Sequence, residues 1–385
     1  MQKNILSKTG KTLSHALKNE TVLSVAIILA AVSAFFVKPD KQYFGYIDVR
    51  TLSLLFSLMA VMAGFQSTGV FGIMAERLIK KVHSIKGLVL IQMMLCFFFS
   101  MLITNDVALL TFVPFTLETL DMLGGKTKRR LLIRVTVMQT VAANLGSMLT
   151  PIGNPQNLYL QGISGIGIAE FILLMLPYTA ASLLLILIWI CLRGGKENAD
   201  ISFFNPRKIT DKRKITVYFA LFVLCLMSVV HVVNHIITLV TVAVVMAITD
   251  RRIFAKVDYS LLATFAAFFV FIGNMGRIPV FSNYISNVIS GNECMVGIAS
   301  SQLISNVPAA LLLSGFTDNL KPLIIGVNLG GLGTIIASMA SLITFKFVSR
   351  DNSSIRGKYM LYFTAANIIM LAALIGVYMI FGKQI

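Results

Sequence analysis

Charged residues are scarce in this chain of 385 amino acids. They make up 13% of the sequence, against ~25% in an ordinary soluble domain, whereas hydrophobic residues make up 57%. Charges are absent from residues 21–37, 135–168 and 171–192. A water-soluble fold has no interior large enough for so much apolar chain. The composition therefore predicts an all-α polytopic membrane protein.

Cysteine is also rare, and its spacing argues against two kinds of site. No two cysteines form a CxxC pair, and all lie in or beside apolar segments. We interpret them as small buried hydrophobic residues, so neither a disulfide framework nor a cysteine metal site is expected. These cysteines are Cys96, Cys191, Cys225 and Cys294.

The motifs of hydrolases and ATP-driven pumps are missing as well. No HExxH, GxSxG or P-loop sequence is present. His231 and His235 have the spacing of a metal-binding pair, but no acid lies between them and they fall in a predicted outer turn. We interpret that pair as coincidental. The sequence therefore predicts no enzyme and no cofactor, and Na⁺ is the only metal ion considered, as a coupling ion.

Acidic residues number 16 against 33 lysines and arginines, which gives a net charge of +17. The basic residues collect in short loops between apolar segments, as the positive-inside rule predicts for cytoplasmic loops. No nucleic-acid-binding module accompanies them. The expected partner of this charge is the lipid bilayer, not a nucleic acid. The basic residues predicted outside the cytoplasm are Lys38, Lys41, Arg50, Arg277, Lys321 and Lys383.

The apolar segments between these loops predict nine spans and two hairpins. Thr21–Val37 is interpreted as a retained first span, because residues 37–39 offer no small-residue cleavage site. The lysines before it predict a cytoplasmic N-terminus in a protein of the cell's inner membrane. The other uninterrupted spans are predicted over 51–74, 171–192, 216–232, 236–249, 258–280 and 359–381.

A polar interruption, Thr104-Asn105-Asp106, separates the apolar arms Gly87–Ile103 and Val107–Leu120. Basic clusters flank both arms, so both outer ends are predicted on the cytoplasmic side. A re-entrant hairpin over 87–121, with half-length arms and a tip near mid-membrane, explains this pattern. Two full antiparallel spans joined by an outer turn leave the same pattern.

The next segment, 131–161, is long for one span and is interrupted near Gly146–Pro155, which predicts a broken helix. The same order recurs later in the chain. A hairpin over 294–320 carries Ser305–Pro308, and a segment over 322–346 is broken at Gly330–Gly333. Polar, helix-breaking sequence that occurs twice at membrane depth indicates the inverted repeats of a secondary transporter.

This pattern divides the chain into four predicted parts. Residues 1–47 hold the N-terminal segment and first span, and 48–195 form the first repeat. Residues 196–257 are a connector loop with its spans. Residues 258–385 form the second, inverted repeat, which is predicted to enter the membrane from the opposite side.

Asp106 is the acid that this topology places deepest in the membrane. It is a candidate for binding the coupling Na⁺ or proton, and the alternative is a structural carboxylate that caps the second arm. Arg277, near the outer end of the seventh span, is interpreted as an interfacial anchor in preference to an anion guide. The remaining residues of the predicted coupling-ion site are Asn105, Asn144, Gly146, Ser147, Asn306, Asn328 and Gly331.

The predicted substrate site shares the tips and breaks. Asparagine amides both donate and accept hydrogen bonds, and helix ends at the tips add partial charges. The candidate substrate-binding residues are Thr104, Asn105, Thr150, Pro151, Asn154, Asn157, Ser305, Asn306 and Thr334.

These motifs resemble the ion transporter superfamily. The likeness lies at 104–110 (TNDVALL) and 149–157 (LTPIGNPQN), and it continues at 305–308 (SNVP), 328–331 (NLGG) and 337–342 (ASMASL). It is strongest to the branch of citrate-transporter-like and arsenite-permease-like proteins, especially small bacterial anion permeases. The resemblance covers nearly the whole chain beyond the first span.

The resemblance implies a scaffold domain, a transport domain built on two hairpins, and a homodimer. In sodium-coupled dicarboxylate relatives, Ser-Asn-Thr motifs at both hairpin tips bind substrate carboxylate and Na⁺. The matching positions are Thr104-Asn105-Asp106 and Ser305-Asn306-Val307. Here Val307 removes one hydroxyl, and Asp106 introduces a negative charge that repels an anion unless it is protonated or paired with a cation.

We therefore expect a secondary active transporter of a small anion, either a di- or tricarboxylate or an inorganic oxyanion. The deep carboxylate Asp106 predicts coupling to Na⁺ or H⁺, and the inverted repeats predict alternating access. The alternative is a Na⁺/H⁺ antiporter that uses Asp106.

Overall fold

The computed structural model describes residues 20–123, 125–193, 211–350 and 355–382, and within these ranges it contains helices and no strand. The predicted all-α class is confirmed. Several predicted features lie outside the described residues. They are the N-terminal segment before residue 20, most of the basic loop after Arg193, and Lys383.

The helix bounds follow the apolar segments of the sequence with a few informative differences. A single helical turn at Tyr43–Tyr46 and two 3₁₀ turns at Pro151–Gly153 and Arg251–Lys256 join longer elements. The longer helices are α1 Thr21–Phe36, α2 Val49–Ser67, α3 Val70–Ile79, α4 Ile85–Ile103, α5 Asn105–Leu123, α6 Gly125–Ser147, α7 Pro155–Ser164, α8 Ile168–Arg193, α9 Lys212–Val229, α10 His235–Thr249, α11 Tyr259–Gly276, α12 Pro279–Ile289, α13 Glu293–Ile304, α14 Asn306–Ser314, α15 Leu320–Leu329, α16 Met339–Arg350 and α17 Arg356–Phe381.

Five of these helices are long and apolar enough to cross a membrane: α2, α4, α8, α11 and α17. Large apolar side chains on the outer faces of α8 and α17 are exposed, among them Leu192 and Leu361. Such outward apolar surface suits lipid contact and not water. The chain is therefore a polytopic membrane protein, whereas the count of nine spans and the N-terminal orientation stay predictions.

Two predicted spans end earlier in the structure than in the sequence analysis. The span predicted over 51–74 stops at Ser67, and the chain turns at Gly69, whose φ of 74° is left-handed, before α3 begins. The span predicted over 258–280 stops at Gly276, and Pro279 begins α12. Proline is favoured in the first helical turn, so it starts a new helix here. Helices α3 and α12 are short and carry polar residues between their apolar ones, which is why hydropathy alone missed them.

The arms of the first hairpin are longer than the predicted half-length helices, so that detail is wrong. Helices α4 and α5 have 19 residues each, or about 28 Å at 1.5 Å per residue. Between them Thr104 alone is not helical, because Asn105 and Asp106 already belong to the first turn of α5. Re-entry of this hairpin stays a prediction, since arms of this length fit either of the two topologies.

Both predicted tips have the same unusual backbone conformation. Thr104 has φ 69° and ψ 151°, and Ser305 has φ 74° and ψ 155°. Non-glycine residues rarely adopt this region, which costs ~1–3 kcal/mol per residue. Each conformation reverses the chain at a single residue, so an asparagine begins the following helix in both cases.

Glycines bring the first arm of each hairpin against a broken helix. A Cβ placed on Gly146 of α6 would lie 2.0 Å from the carbonyl oxygen of Phe97 on α4. A Cβ on Gly326 of α15 would lie 2.3 Å from the carbonyl oxygen of Cys294 on α13. Only glycine permits backbones to approach this closely, and small residues serve the same purpose between other membrane helices.

The two helix breaks differ in length. The first lies where the sequence predicts it, between Ser147 and Pro155. The second is longer than the predicted Gly330–Gly333, because the chain stays non-helical until α16 begins at Met339. Its extra backbone includes Ala337 and Ser338, both buried.

Gly146→Ala tests the close approach of α4 and α6. We expect it to lower thermal stability strongly, because the new methyl group collides with a main-chain carbonyl that only a helix shift can relieve; overpacking costs ~1–3 kcal/mol. Gly376→Ala in α17 is the matched control, since no atom lies within 4 Å of its added methyl group. It should be neutral or slightly stabilising. Equal melting temperatures for the two purified variants would contradict the packing described.

Candidate functional site

The two tips and the two breaks meet in a cluster of buried asparagines. None of these side chains is more than 5% exposed, and they come from helices far apart in the chain. Buried amides need partners, so their hydrogen bonds show how the pieces are held together. The cluster, called here the amide cluster, consists of Asn105, Asn144, Asn154, Asn157, Asn306 and Asn328.

Asn144 joins the first tip to the second break. Its Oδ1 accepts from Asn105 Nδ2 at 3.0 Å and from the Ser338 hydroxyl at 3.1 Å. Its Nδ2 donates to the carbonyl oxygen of Gly331 at 3.3 Å. One side chain in the first half therefore satisfies main-chain and side-chain groups of the non-helical segment in the second half.

Asn328 makes the reciprocal connection. Its Nδ2 donates to Asn157 Oδ1 at 2.7 Å and to the carbonyl oxygen of Ile324 at 2.8 Å. Asn157 in turn donates from Nδ2 to the carbonyl oxygen of Thr150 at 3.3 Å, inside the first break. Asn144 and Asn328 both begin an Asn-Leu-Gly sequence near the end of a broken helix, so equivalent residues link the halves in both directions.

The second tip is held by main-chain contacts. The backbone N–H of Asn306 donates to the carbonyl oxygen of Ala337 at 2.9 Å. A Cβ on Gly331 would lie 3.1 Å from Asn306 Nδ2, so a glycine there lets the break approach the tip. Ser305 is 1% exposed and its hydroxyl donates to Ala337 as well. The second tip is thus more enclosed than the first, where Thr104 and Asp106 are half-buried.

Asp106 does not act as the cap of α5. Its own backbone N–H donates to Asn105 Oδ1 at 2.9 Å, so the neighbouring amide satisfies this helix end. The Asp106 carboxylate has no hydrogen bond or ion pair with any residue in the described ranges. The cap-only interpretation therefore loses its support. The carboxylate instead lines two cavities.

The larger cavity, of about 150 Å³, extends from the first tip to the surface. Thr104, Asp106 and Asn154 lie at its inner end, and α2 forms an apolar wall. Lys256 and Asp258 line its other end, and both are exposed. This gives the tip a route to the side of the protein that carries Lys256, which is the predicted cytoplasmic side.

The smaller cavity, of about 10 Å³, lies between the two tips and is large enough for one water-sized group. Asn105 and Asp106 of the first tip and Asn306 and Val307 of the second contribute to it. Both tips therefore line one shared space.

Gln156 also lines this small cavity, and sequence reasoning missed it. It is fully buried, and neither Oε1 nor Nε2 has a hydrogen-bond partner among the described residues. A buried amide left without partners costs ~1–3 kcal/mol per group, so an ordered water, a bound ligand or an ion is its natural partner. Its place inside the Asn-Pro-Gln-Asn run could have pointed to Gln156. A glutamine in the first turn of a helix is common, however, so the residue did not stand out.

Several predicted site residues lie apart from the cluster or are already fully bonded. Thr150 caps the 3₁₀ turn beginning at Pro151, since its hydroxyl accepts from the N–H of Gly153 and donates to the carbonyl oxygen of Met101. Thr334 is exposed and bonded to Gln302. Ser147 is closer to the cluster, because its hydroxyl accepts from Asn154 Nδ2 at 2.7 Å.

Arg277 lies apart from the amide cluster and contacts the predicted outer loop, so its role as an interfacial anchor stays a prediction. Its Nη1 lies 2.9 Å from Asp40 Oδ2 and donates to the Tyr46 hydroxyl at 3.1 Å. His231 Nε2 lies 2.8 Å from Arg50 Nη2 and is likewise remote from the amide cluster. The small cavity beside the amide cluster is lined by one carboxylate, that of Asp106, and by no basic side chain among the described residues.

A buried polar site formed by paired tips and breaks inside a membrane protein defines a transporter by its architecture. Comparison with known proteins identifies the family: the citrate transporter family model matches residues 9–329. The chain belongs to this family.

Two relatives match nearly end to end. An uncharacterized transporter of Methanocaldococcus jannaschii is 34% identical over 344 residues, which is 88% of this chain and 91% of that protein. The inner membrane protein YbiR of Escherichia coli is 30% identical over 368 residues, which is 94% of this chain and 96% of that protein. The silicon efflux transporter LSI3 of rice is 31% identical over 170 residues, or 43% of this chain and 34% of its own length. The protein is thus a transporter and not an enzyme.

Thr104→Cys, in a Cys191→Ser background, tests which surface the first tip faces. Cys191 is the exposed native cysteine, and the other three are buried. Because the larger cavity connects Thr104 to Lys256, we expect a membrane-impermeant thiol reagent to label both Thr104→Cys and Lys256→Cys from one and the same side. Lys38→Cys marks the opposite side by prediction. Labelling of Thr104→Cys only from the side of Lys38 would mean that α4 and α5 are two full spans.

Proposed function

We propose that this protein is a secondary active transporter that moves a small anion together with Na⁺ or H⁺ by alternating access. The observation that supports this most is the unpaired Asp106 carboxylate beside a cluster of neutral amides between two tips. The amides offer donors to oxyanion oxygens and acceptors to a cation. The tips contribute the N-terminal ends of α5 and α14, which favour negative charge.

Asp106 supplies the reason for coupling. Two like charges 4 Å apart repel by about 4 kcal/mol at an effective dielectric constant of 20. That energy corresponds to roughly a thousandfold loss of affinity. An anion therefore binds well only after Asp106 has taken up a proton or a Na⁺, so anion and cation enter the site together. Because the surrounding amides are neutral and no basic side chain in the described ranges offsets the charge of Asp106, anion affinity depends strongly on the bound cation.

A second candidate, Na⁺/H⁺ antiport, is favoured by one specific observation. The lining of the small cavity includes a carboxylate and amide oxygens but no lysine, arginine or histidine. Such a lining suits a bare cation as well as a cation–anion pair. In that mechanism Na⁺ and a proton compete for Asp106, and no anion is needed.

The ligand class is tested by thermal stability of the purified protein. Citrate, succinate, malate, sulfate, phosphate and arsenite are each added with Na⁺ or choline at two pH values. A ligand at 100 times its Kd stabilises the folded state by ~2.7 kcal/mol. An anion shift that requires Na⁺ or low pH supports symport, whereas shifts with Na⁺ and pH alone support antiport.

Asp106→Asn removes the charge that makes anion binding depend on a cation. We expect the variant to fold and to show the anion shift equally in Na⁺ and in choline, and to lose coupled uptake in proteoliposomes. Asp121→Asn is the matched control, because Asp121 is exposed and pairs with Lys128 far from the site. Full coupled transport by Asp106→Asn would refute the assigned role.

Gln156→Ala tests the unpartnered amide. We expect it to abolish the ligand-induced shift and to lower the melting temperature of the free protein less than its control does, since both lose packing but Gln156 loses no hydrogen bond. Gln161→Ala, in the same helix, is the control, because Gln161 Nε2 donates to the carbonyl oxygen of Ile166 at 2.8 Å. This control should melt at a lower temperature but retain the ligand shift. The reverse pattern would show that Gln156 is only a packing residue.

A further inference from the structure

A third cavity, of about 260 Å³, lies away from the amide cluster between α6, α8 and α17. It combines two arginines and two aromatic residues with an apolar remainder. Its lining consists of Arg134, Met138, Trp189, Arg193, Tyr362, Ala365, Ala366, Ile369 and Met370.

Helical periodicity turns these residues toward one another. Arg134 and Met138 are one turn apart on α6, and Trp189 and Arg193 are one turn apart on α8. On α17, a stripe beginning at Tyr362 continues through alanines at the following turn, where small side chains leave room between the helices. Three helices therefore present polar groups at one end of the cavity and apolar groups along the rest.

The two guanidinium groups have no partner in the described part of the chain. Neither Arg134 nor Arg193 has an ion pair or hydrogen bond there. Arg134 is half-buried, ten residues into α6, so it carries its charge beside apolar side chains. Two convergent arginines attract a phosphate, because the planar guanidinium binds its oxygens in pairs.

The cavity opens toward the lipid-facing surface. Exposed apolar side chains flank it on both outer helices, with Ile188 and Leu192 on α8 and Leu361 and Ile368 on α17. A water-soluble phosphate compound gains nothing from such surroundings, whereas an acyl chain does. Apolar lining and lateral access therefore favour a lipid over a soluble anion.

The position along the membrane agrees with this choice. Arg193 ends α8 at the side where α6 begins with its basic first turns, which the positive-inside rule assigns to the cytoplasm. Trp189 is the only tryptophan of the chain, and tryptophan is enriched at the headgroup level of membranes. Basic pockets between transmembrane helices on this side bind anionic lipid headgroups.

We propose that this cavity binds one anionic phospholipid of the cytoplasmic leaflet. Its phosphate contacts Arg134 and Arg193, its headgroup lies beside Trp189 and Tyr362, and an acyl chain follows the alanine stripe of α17. The site is separate from the amide cluster, so it stands or falls independently of the transported substrate.

The test compares melting temperatures of the delipidated protein after addition of phosphatidylglycerol, phosphatidylcholine or glycerol 3-phosphate. We expect a rise of several degrees with phosphatidylglycerol and none with the other two. Arg134→Gln/Arg193→Gln should remove at least half of this rise. Arg213→Gln/Arg252→Gln is the control, since it removes two exposed arginines from the same predicted side and should leave the rise unchanged.

Native mass spectrometry provides a second measurement. One retained phosphatidylglycerol per chain is expected in the wild type and the control, and none in the double variant. Arg193→Gln alone, at the exposed end of α8, gives the same test with a smaller effect if the double variant does not fold. Equal shifts with both phospholipids, an equal shift with glycerol 3-phosphate, or full retention of lipid by the variants would overturn the proposal.

Discussion

The structure depends on satisfying the polar main chain of two broken helices inside a protein that lies in a membrane. Lipid cannot hydrogen-bond exposed N–H and C=O groups, so non-helical backbone must find partners within the protein. Asn144 provides one solution, since it bonds to the Gly331 carbonyl and to the first tip. Asn328 provides the other through Asn157. Each half of the chain thus completes the break in the opposite half.

This arrangement explains why strained and costly features occur together. The left-handed conformations of Thr104 and Ser305 persist because neighbouring elements hold them, through α4 and α5 at one tip and the Ala337 carbonyl at the other. The same compactness leaves Gln156 without a partner. Uncompensated polar groups at such a place are typical of a site prepared for a ligand, where local stability has been given up for function.

Much of the fold was predictable from the sequence because membrane helices must be long, apolar and internally bonded. Hydropathy located most helices, and glycine and proline located the first break. Hydropathy failed at α3 and α12, since both helices are short and carry polar residues between their apolar ones. Hydropathy also underestimated the length of the helices in the first hairpin, because Asn105 and Asp106 look like a loop but begin a helix.

The sequence by itself determined the all-α membrane class, the two tips, the two breaks and all six members of the amide cluster. Each follows from local chemistry: hydropathy, helix-breaking residues and polar side chains at membrane depth. Only the tertiary structure decided that Asn105 caps its own helix and leaves Asp106 unpaired, that Thr334 lies apart, and that Gln156 lies between the tips. Those outcomes depend on which distant segments meet, and contacts between distant segments leave no periodic trace in one sequence.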